Sequence, residues 1–473
     1  MKSDRRYPVR NPRTGVLDYT FPLPTPAQIR KEAERLRSNQ VAWQQKGINE
    51  RIEVLQTWKH GISKHLDELI EALTLDTGRR YESELEAKLI AQSIDRWCGV
   101  ATDFFAPSPD KTSAIPFIHI KQDLQPYPLV GVISPWNFPL LLALIDTLPA
   151  LLAGCSVVIK PSEVTPRFIE PLMRSIQETP ALAGVLSFMA GDGKTGAALL
   201  KHVDLLCFTG SVATGRKVYA ACAKNFIPCF LELGGKDPAL VFEGANLDQA
   251  AASILWGSTV NCGQSCLSIE RVYVQESIAH DFLALLKAKA ENVQLAYPTV
   301  SDGQIGPVIS DKQVSIINAH LQDALEKGAS LLTGSAQCEQ KSGGWYCRPT
   351  VLTGANHTMK VMTEETFGPI IPVMTFQTEA EGLALANGTV FGLSAAVFAK
   401  DWETAYHIGQ HIEAGAISIN ECALTSMVHE GEKQSFKMSG LGGTRMGAAA
   451  IKRFMKQRAF LIKKEAIAAP WWF

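Results

Sequence analysis

The sequence predicts an α/β protein: a Rossmann-like, doubly wound unit, a second α/β unit behind it, and a small β arm. The first observation is a change of period. Between residues 130 and 242, short apolar runs recur at 130–134, 157–160, 185–189, 205–208, 229–233 and 239–242, with helical stretches at 140–153, 168–177 and 214–223 between them. Apolar strands alternating with helices of that length build a parallel sheet covered on both faces, which binds nucleotides at the carboxyl ends of its strands. The second observation is a further series of such signals from about 245 to 435, including a helix at 279–294 and strands at 271–275, 371–376 and 395–398.

Ahead of these units, residues 25–104 read as long amphipathic helices. Ile29, Ala33 and Leu36, then Leu66, Ile70 and Leu73, recur at helical spacing with charges between them. They carry no chemical motif and are expected to be scaffold. Residues 115–130 alternate in β fashion between prolines, and the C-terminal run Ala459 to Lys464 is also strand-like, so the two are expected to pair as an arm. The stretch from Leu124 to Ile145 is free of charge, but Pro126, Pro128, Pro135 and Pro139 would break a membrane-spanning helix. The expected division is residues 1–114 and 131–240 for the first unit, 241–435 for the second, and 115–130 with 457–473 for the arm.

With 473 residues, 46% hydrophobic and 20% charged, the chain can bury a large core, and a net charge of -1 gives no field for nucleic acid or a membrane surface. The polar N-terminus is followed by no apolar secretory segment. Ten cysteines in so long a chain read as free thiols rather than a disulfide framework, which fits the cytoplasm.

Chemistry concentrates in a few stretches. Asn261-Cys262-Gly263-Gln264-Ser265-Cys266 sets cysteines among small residues, where a thiolate can meet a substrate. A zinc site is not expected there, because no further Cys or His pair at ligand spacing accompanies the two cysteines. Leu231-Glu232-Leu233-Gly234-Gly235-Lys236 ends an apolar strand with a carboxylate, either a base or the partner of Lys236. Gly191-Asp192-Gly193-Lys194-Thr195-Gly196 matches a dinucleotide fingerprint but lacks the later acidic residue, and Phe188 rules out a P-loop; it reads as a tight strand-to-helix turn. Lys160, Ser162 and Glu163 end the second strand, where such a sheet holds a ribose, or form a solvated ion pair. Thr209, Gly210 and Ser211 form a strand-to-helix turn suited to a pyrophosphate, or to an ordinary N-cap.

Taken together, these motifs resemble the aldehyde dehydrogenase superfamily. The resemblance runs from Asn11-Pro12-x-Thr14-Gly15 to about residue 447 and includes Gly415-Ala416-Ile417-Ser418-Ile419-Asn420, with Arg271 downstream of the cysteine motif. It implies the aldehyde dehydrogenase fold, with the three parts above as NAD-binding domain, catalytic domain and oligomerisation arm of a homodimer or homotetramer. Cys266 becomes the nucleophile rather than Cys262, which is left as a neighbour able to form a reversible disulfide with it. Asn137, in Pro135-Trp136-Asn137-Phe138-Pro139, becomes the oxyanion donor with the Cys266 backbone N–H. Glu232 becomes the base for thioester hydrolysis; relatives that pass the acyl group to coenzyme A generally lack it. NAD contacts are implied at Trp136, Lys160, Ser162, Glu163, Thr209, Gly210, Ser211, Leu233 and Gly234. Glu365 and Phe367, in Glu364-Glu365-Thr366-Phe367-Gly368-Pro369, would grip the nicotinamide ribose. Glu163 would repel a 2′-phosphate, favouring NAD over NADP.

The expected activity is oxidation of an aldehyde to its acid. Phe138, Leu141, Leu142, Ile145, Ser265, Leu267 and the 421–433 loop would line the substrate tunnel, mostly apolar, which favours an aliphatic or aromatic aldehyde. Lys433 or His429 could supply a cation for a semialdehyde. Coenzyme A acylation and a catalytically silent homologue are the rival readings. The family's usual Pro-Phe-Gly-Gly-x-Lys-x-Ser-Gly appears only as Lys437-x-Ser439-Gly440 here, behind a longer loop.

Overall fold

The computed structural model describes residues 5–106, 111–115 and 117–463. After a hairpin of Arg6–Arg10 and Leu17–Pro22, four helices follow: Pro26–Gln45, Gly47–Lys64, Leu66–Thr77 and Tyr81–Phe104. Thr25 and Gln28 form a capping box on the first. Ile29, Ala33 and Leu36 are buried as their spacing requires, and so are Ile70 and Leu73.

The first sheet has six strands in the order Gly440–Leu441, Cys229–Glu232, Leu205–Thr209, Leu129–Ile133, Ser156–Lys160, Leu186–Phe188. All but the two-residue Gly440–Leu441 run parallel. Alternate residues feed opposite cores: Val157 and Ile159 pack with Trp43, Trp58 and Trp97, whereas Val158 packs with Ile29, Leu36 and Leu206. Both faces are therefore apolar, which explains the unbroken hydrophobic runs. The chain order reverses between Leu129–Ile133 and Leu205–Thr209, so the crevice for a nucleotide opens at the carboxyl ends of these two strands.

The second sheet has seven strands, in the order Ser330–Thr333, Thr350–Thr353, Ile370–Phe376, Ile269–Gln275, Asp237–Val241, Ser394–Phe398, Ala416–Ile419. Two corrections follow. The run at 239–242, read as the last strand of the first series, lies at the middle of this second sheet, paired with Ile269–Gln275 and Ser394–Phe398. An apolar run states burial but not which sheet buries it. The missing edge of the first sheet comes instead from Gly440–Leu441, too short and glycine-rich to carry an apolar signal.

Met455–Lys463 pairs antiparallel with Ile118–Pro126 in the same chain, and Lys111–Thr112 adds a third strand. Phe460 and Leu461 are exposed on this arm. Lys464 and the rest of the predicted arm to residue 473 lie outside the described residues, as do residues 1–4. Among the described residues, no helix is long and apolar enough to cross a membrane.

Candidate active site

Helix Leu247–Thr259 ends in a turn whose backbone runs left-handed at three successive residues: Asn261 (φ 55), Cys262 (φ 56) and Gly263 (φ 69). For a cysteine this costs roughly 1–2 kcal/mol, so the surroundings must hold it. They do so through the first and fourth residues of the motif. The Asn261 amide donates to the carbonyls of Asn137 (3.0 Å) and Gln264 (2.9 Å), and its N–H donates to Glu82 Oε1 at 3.1 Å. The Gln264 amide donates back to the Asn261 carbonyl at 3.0 Å, and Gln264 Oε1 accepts the Ile309 N–H at 2.9 Å. Both side chains are buried. They brace the loop that carries Cys266. Gly263 has no alternative, because a Cβ would stand 2.3 Å from the Gly368 carbonyl carbon. Gly263→Ala is expected to lower the thermal midpoint and, by shifting the Cys266 loop by an ångström or so, to cut kcat about 100-fold. Unchanged melting and turnover would show that the loop tolerates the shift.

Asn137 is buried at the turn after Leu129–Ile133, and its Nδ2 donates one hydrogen to the Gln264 carbonyl at 3.0 Å, two residues before Cys266. Its own carbonyl also accepts from buried Arg79, whose guanidinium lies 4.6 Å from the Phe138 ring centroid. Arg79, Glu82 and Glu86 are functional surroundings that the sequence reading missed. Glu86 Oε2 accepts the Leu141 N–H at 3.2 Å, and burial pushes its carboxyl up to about 7. The available signal was charge on the wrong face: Glu82 and Glu86 share the spacing of buried Ile90, Ile94 and Trp97.

Glu232, at the carboxyl end of its strand, accepts from Ser435 Oγ at 2.9 Å. It does not pair with Lys236. Lys236 is fully buried and donates to Glu270 (2.6 Å) and Thr366 Oγ1 (3.0 Å), a network that also takes the Thr366 and Phe367 N–H groups onto Glu270. Arg271 is likewise structural, donating to the carbonyls of Lys236, Leu385 and Ala386.

Cys266 is partly exposed, whereas the other nine cysteines are buried; all ten are free thiols. Burial pushes its thiol up to about 12, with Asp237, Glu365 and Glu232 adding to the rise and Lys433 opposing it. Cys262 is turned into the core, where its thiol neighbours are Cys338 and Cys347, so the spacing-based disulfide with Cys266 is not supported.

The residues expected to hold a dinucleotide gather at the carboxyl ends of the first sheet. Lys160 Nζ bonds Glu163 at 2.8 Å, with Lys160 buried and Glu163 half-open. Ser162 Oγ accepts the Val164 N–H at 3.2 Å. Ser211 caps helix Val212–Asn225, and Gly215 on that helix lies so close to Leu233 that a Cβ would be 2.6 Å from it. The Thr209 hydroxyl is already engaged, accepting from Arg445, which is in turn clamped by buried Asp146. From the second unit, Glu365 lies against Gly234, where a Cβ would be 2.5 Å from its carboxylate oxygens, and accepts the Gly235 N–H at 3.2 Å. Burial beside Glu270 raises its carboxyl to about 8. Trp136 and Phe367 meet edge to face at 5.4 Å across the two units. Asp192, in the fingerprint-like turn, caps helix Gly193–Leu199 by accepting the Thr195 N–H, as expected of a turn.

Phe138, Leu141, Leu142 and Ile145 form one half-exposed face beside helix Pro139–Leu144, while Leu140, Ala143 and Leu144 are buried. Ser265 and Leu267 flank Cys266 and are also half-exposed. The apolar face expected to line a substrate tunnel is therefore the open one, and the helix's buried side packs into the core. Among the described residues, no group of His, Cys, Asp and Glu could hold a metal ion.

The family model described as the aldehyde dehydrogenase family matches residues 1–460. A solved chain from Anabaena variabilis, carrying a provisional aldehyde dehydrogenase assignment, is 55% identical with a TM-score of 0.97, covering 99% of this chain and 100% of that one. A Staphylococcus aureus betaine aldehyde dehydrogenase, solved in complex with NAD+, is 28% identical with a TM-score of 0.93, covering 100% and 95%. A 4,4'-diapolycopene aldehyde oxidase from Methylomonas is 34% identical over 478 residues, covering 98% of this chain and 87% of the relative.

Proposed function

We propose that this chain, which belongs to the aldehyde dehydrogenase family, oxidises a hydrophobic aliphatic or aromatic aldehyde to the free acid through a thioester on Cys266. The observation that carries this is the exposure of Cys266 alone among ten thiols, on a loop braced by Asn261 and Gln264. Its thiolate would add to the carbonyl carbon. The second amide hydrogen of Asn137 and the Cys266 backbone N–H would receive the resulting oxyanion. Loss of hydride leaves the thioester, and Glu232 would take a proton from the water that hydrolyses it.

NAD fits the crevice by the chemistry of its donors. Lys160 and Glu163 offer a paired donor and acceptor for a ribose diol, and Ser211 with the N-terminus of Val212–Asn225 offers a positive end for a pyrophosphate. Glu365, neutral below about pH 8, can both donate to and accept from a second ribose. Bound there, NAD supplies the hydride acceptor. Glu163 would disfavour a 2′-phosphate, so NAD is preferred to NADP. The presence of Glu232 favours hydrolysis over transfer to coenzyme A. Exposed Phe460 and Leu461 suit the arm to subunit pairing as a dimer or tetramer, and ten free thiols suit the cytoplasm.

The test is NADH absorbance with hexanal, benzaldehyde and succinate semialdehyde, using NAD and NADP in parallel. The apolar aldehydes with NAD are expected to give the highest kcat/KM. A large preference for the carboxylated aldehyde would overturn the substrate assignment, and no turnover from a folded, NAD-binding protein would overturn the activity.

A further inference from the structure

Residues 25–104 carry no chemical motif, yet the corner between helices Leu66–Thr77 and Tyr81–Phe104 reaches the oxyanion donor proposed above. Gly78 ends the first helix in the left-handed region (φ 73), and Arg79 follows it. The corner is fixed on three sides. Ser83 Oγ donates to the Arg79 carbonyl at 2.6 Å, and Arg13 donates to the Gly78 carbonyl at 3.2 Å. A Cβ on Gly306 would stand 3.2 Å from Arg79 Cβ.

Arg79 is only 4% exposed. Its Nη2 donates to the Asn137 carbonyl at 2.5 Å, and its guanidinium lies against the Phe138 ring. Its Nε and Nη1 make no hydrogen bond among the described residues. Burying a guanidinium in this way is costly, and Glu82 and Glu86 on the next helix offset part of its charge. The side chain spends its one hydrogen bond on Asn137.

The Asn137 carbonyl accepts two hydrogen bonds, from Arg79 and from Asn261 Nδ2 at 3.0 Å, which fills both lone pairs. The Asn137 side chain gives one amide hydrogen to the Gln264 carbonyl at 3.0 Å. The hydrogen left over is the one assigned to the oxyanion. Asn261 and Gln264 belong to the cysteine loop, whereas Arg79 joins the donor to the helical scaffold. Glu82, three residues on, accepts the Asn261 N–H at 3.1 Å, so one corner holds both the donor and the cysteine loop. A hydrogen bond from a charged donor is roughly twice as strong as a neutral one, which makes Arg79 the firmest of these ties.

We propose that Arg79 is a positioning residue of the reaction: by fixing the Asn137 peptide, it aims the free amide hydrogen of that side chain at the oxyanion formed on Cys266. It touches neither substrate nor cofactor and acts through Asn137. This inference rests on the reading of Cys266 as nucleophile and Asn137 as oxyanion donor.

Arg79→Met in the full-length protein is expected to lower kcat about 100-fold with KM little changed, because a donor displaced by an ångström or so weakens the transition state alone. Iodoacetamide labelling of Cys266 builds no oxyanion and should keep its parental rate, which a collapsed loop would not allow. Arg79→Lys, still a cation able to donate, is expected to recover about 10-fold of the loss. A double-mutant cycle makes the sharpest comparison: in an Asn137→Ala background, Arg79→Met should cost nothing more. If a thermal melt shows the methionine variant unfolded, Arg79→Gln and Arg79→Lys run the same cycle. Parental kcat in Arg79→Met, a loss that adds to that of Asn137→Ala, or labelling that slows in step with turnover each overturns the proposal. The underlying reading fails separately: its mark would be parental turnover in Asn137→Ala or Cys266→Ala, whatever Arg79 does.

Discussion

Cys266→Ala is expected to eliminate NADH formation with every aldehyde tested, a loss of roughly 10⁴-fold or more, while leaving the fold intact. The size follows from the absence of a substitute. The other nine thiols are buried, and Cys262, four residues away, faces Cys338 and Cys347 in the core. The preserved fold follows from the contacts of the side chain: among the described residues its sulfur makes no hydrogen bond, and the loop is held by Asn261, Gln264 and the Ser268 hydroxyl instead. Steady-state turnover and a thermal melt together check this. Residual activity within about 10-fold of the parent would sink the covalent mechanism.

Glu232→Gln is expected to separate the two halves of the reaction. The substitution is nearly isosteric and keeps an oxygen for the Ser435 hydroxyl, which lies 2.9 Å from Glu232 Oε2. Without a base, the thioester forms and waits. Rapid mixing should show one NADH per site in a burst, followed by steady turnover slowed about 100- to 1,000-fold. Intact-mass analysis of the quenched enzyme should find the acyl group on Cys266. A variant without a burst would place the slow step before hydride loss, and one with parental turnover would remove Glu232 from the mechanism.

The fold was legible in the sequence where burial and period coincide. Runs such as Val157-Val158-Ile159 must be covered on both faces, and the amphipathic helices from 26 to 104 expose their seams at regular spacing. Register between units was not legible: nothing in Ala239-Leu240-Val241 distinguishes the edge of one sheet from the centre of another. The candidate nucleophile was legible because Cys266 stands among small residues, and the structure leaves its thiol the one of ten that is partly exposed. Its supports were harder to read. Arg79 precedes helix Tyr81–Phe104, and Glu82 and Glu86 share its buried spacing, but the partners of this buried charge, at Asn137, Leu141 and Asn261, lie far off in the chain. Lys236 reads as the obvious partner of Glu232, but its stem runs inward to Glu270. Sequence proximity is a poor guide to ion pairing where the chain leaves one sheet for another: Glu232 ends Cys229–Glu232 in the first sheet, and Lys236 immediately precedes Asp237–Val241 in the second.

The two-residue strand Gly440–Leu441, paired with Cys229–Glu232, bears on how the molecule is made. Glu232 and Ser435, joined by a hydrogen bond, are 203 positions apart. During synthesis the second α/β unit must emerge in full before the first sheet gains its last strand, so the nucleotide-binding unit leaves the ribosome unfinished. Its provisional edge, the strand bearing Glu232, stays open to wrong partners throughout that interval. Chains that stall or are cut ahead of residue 440 should therefore bind partner strands or aggregate rather than persist as a half-active domain.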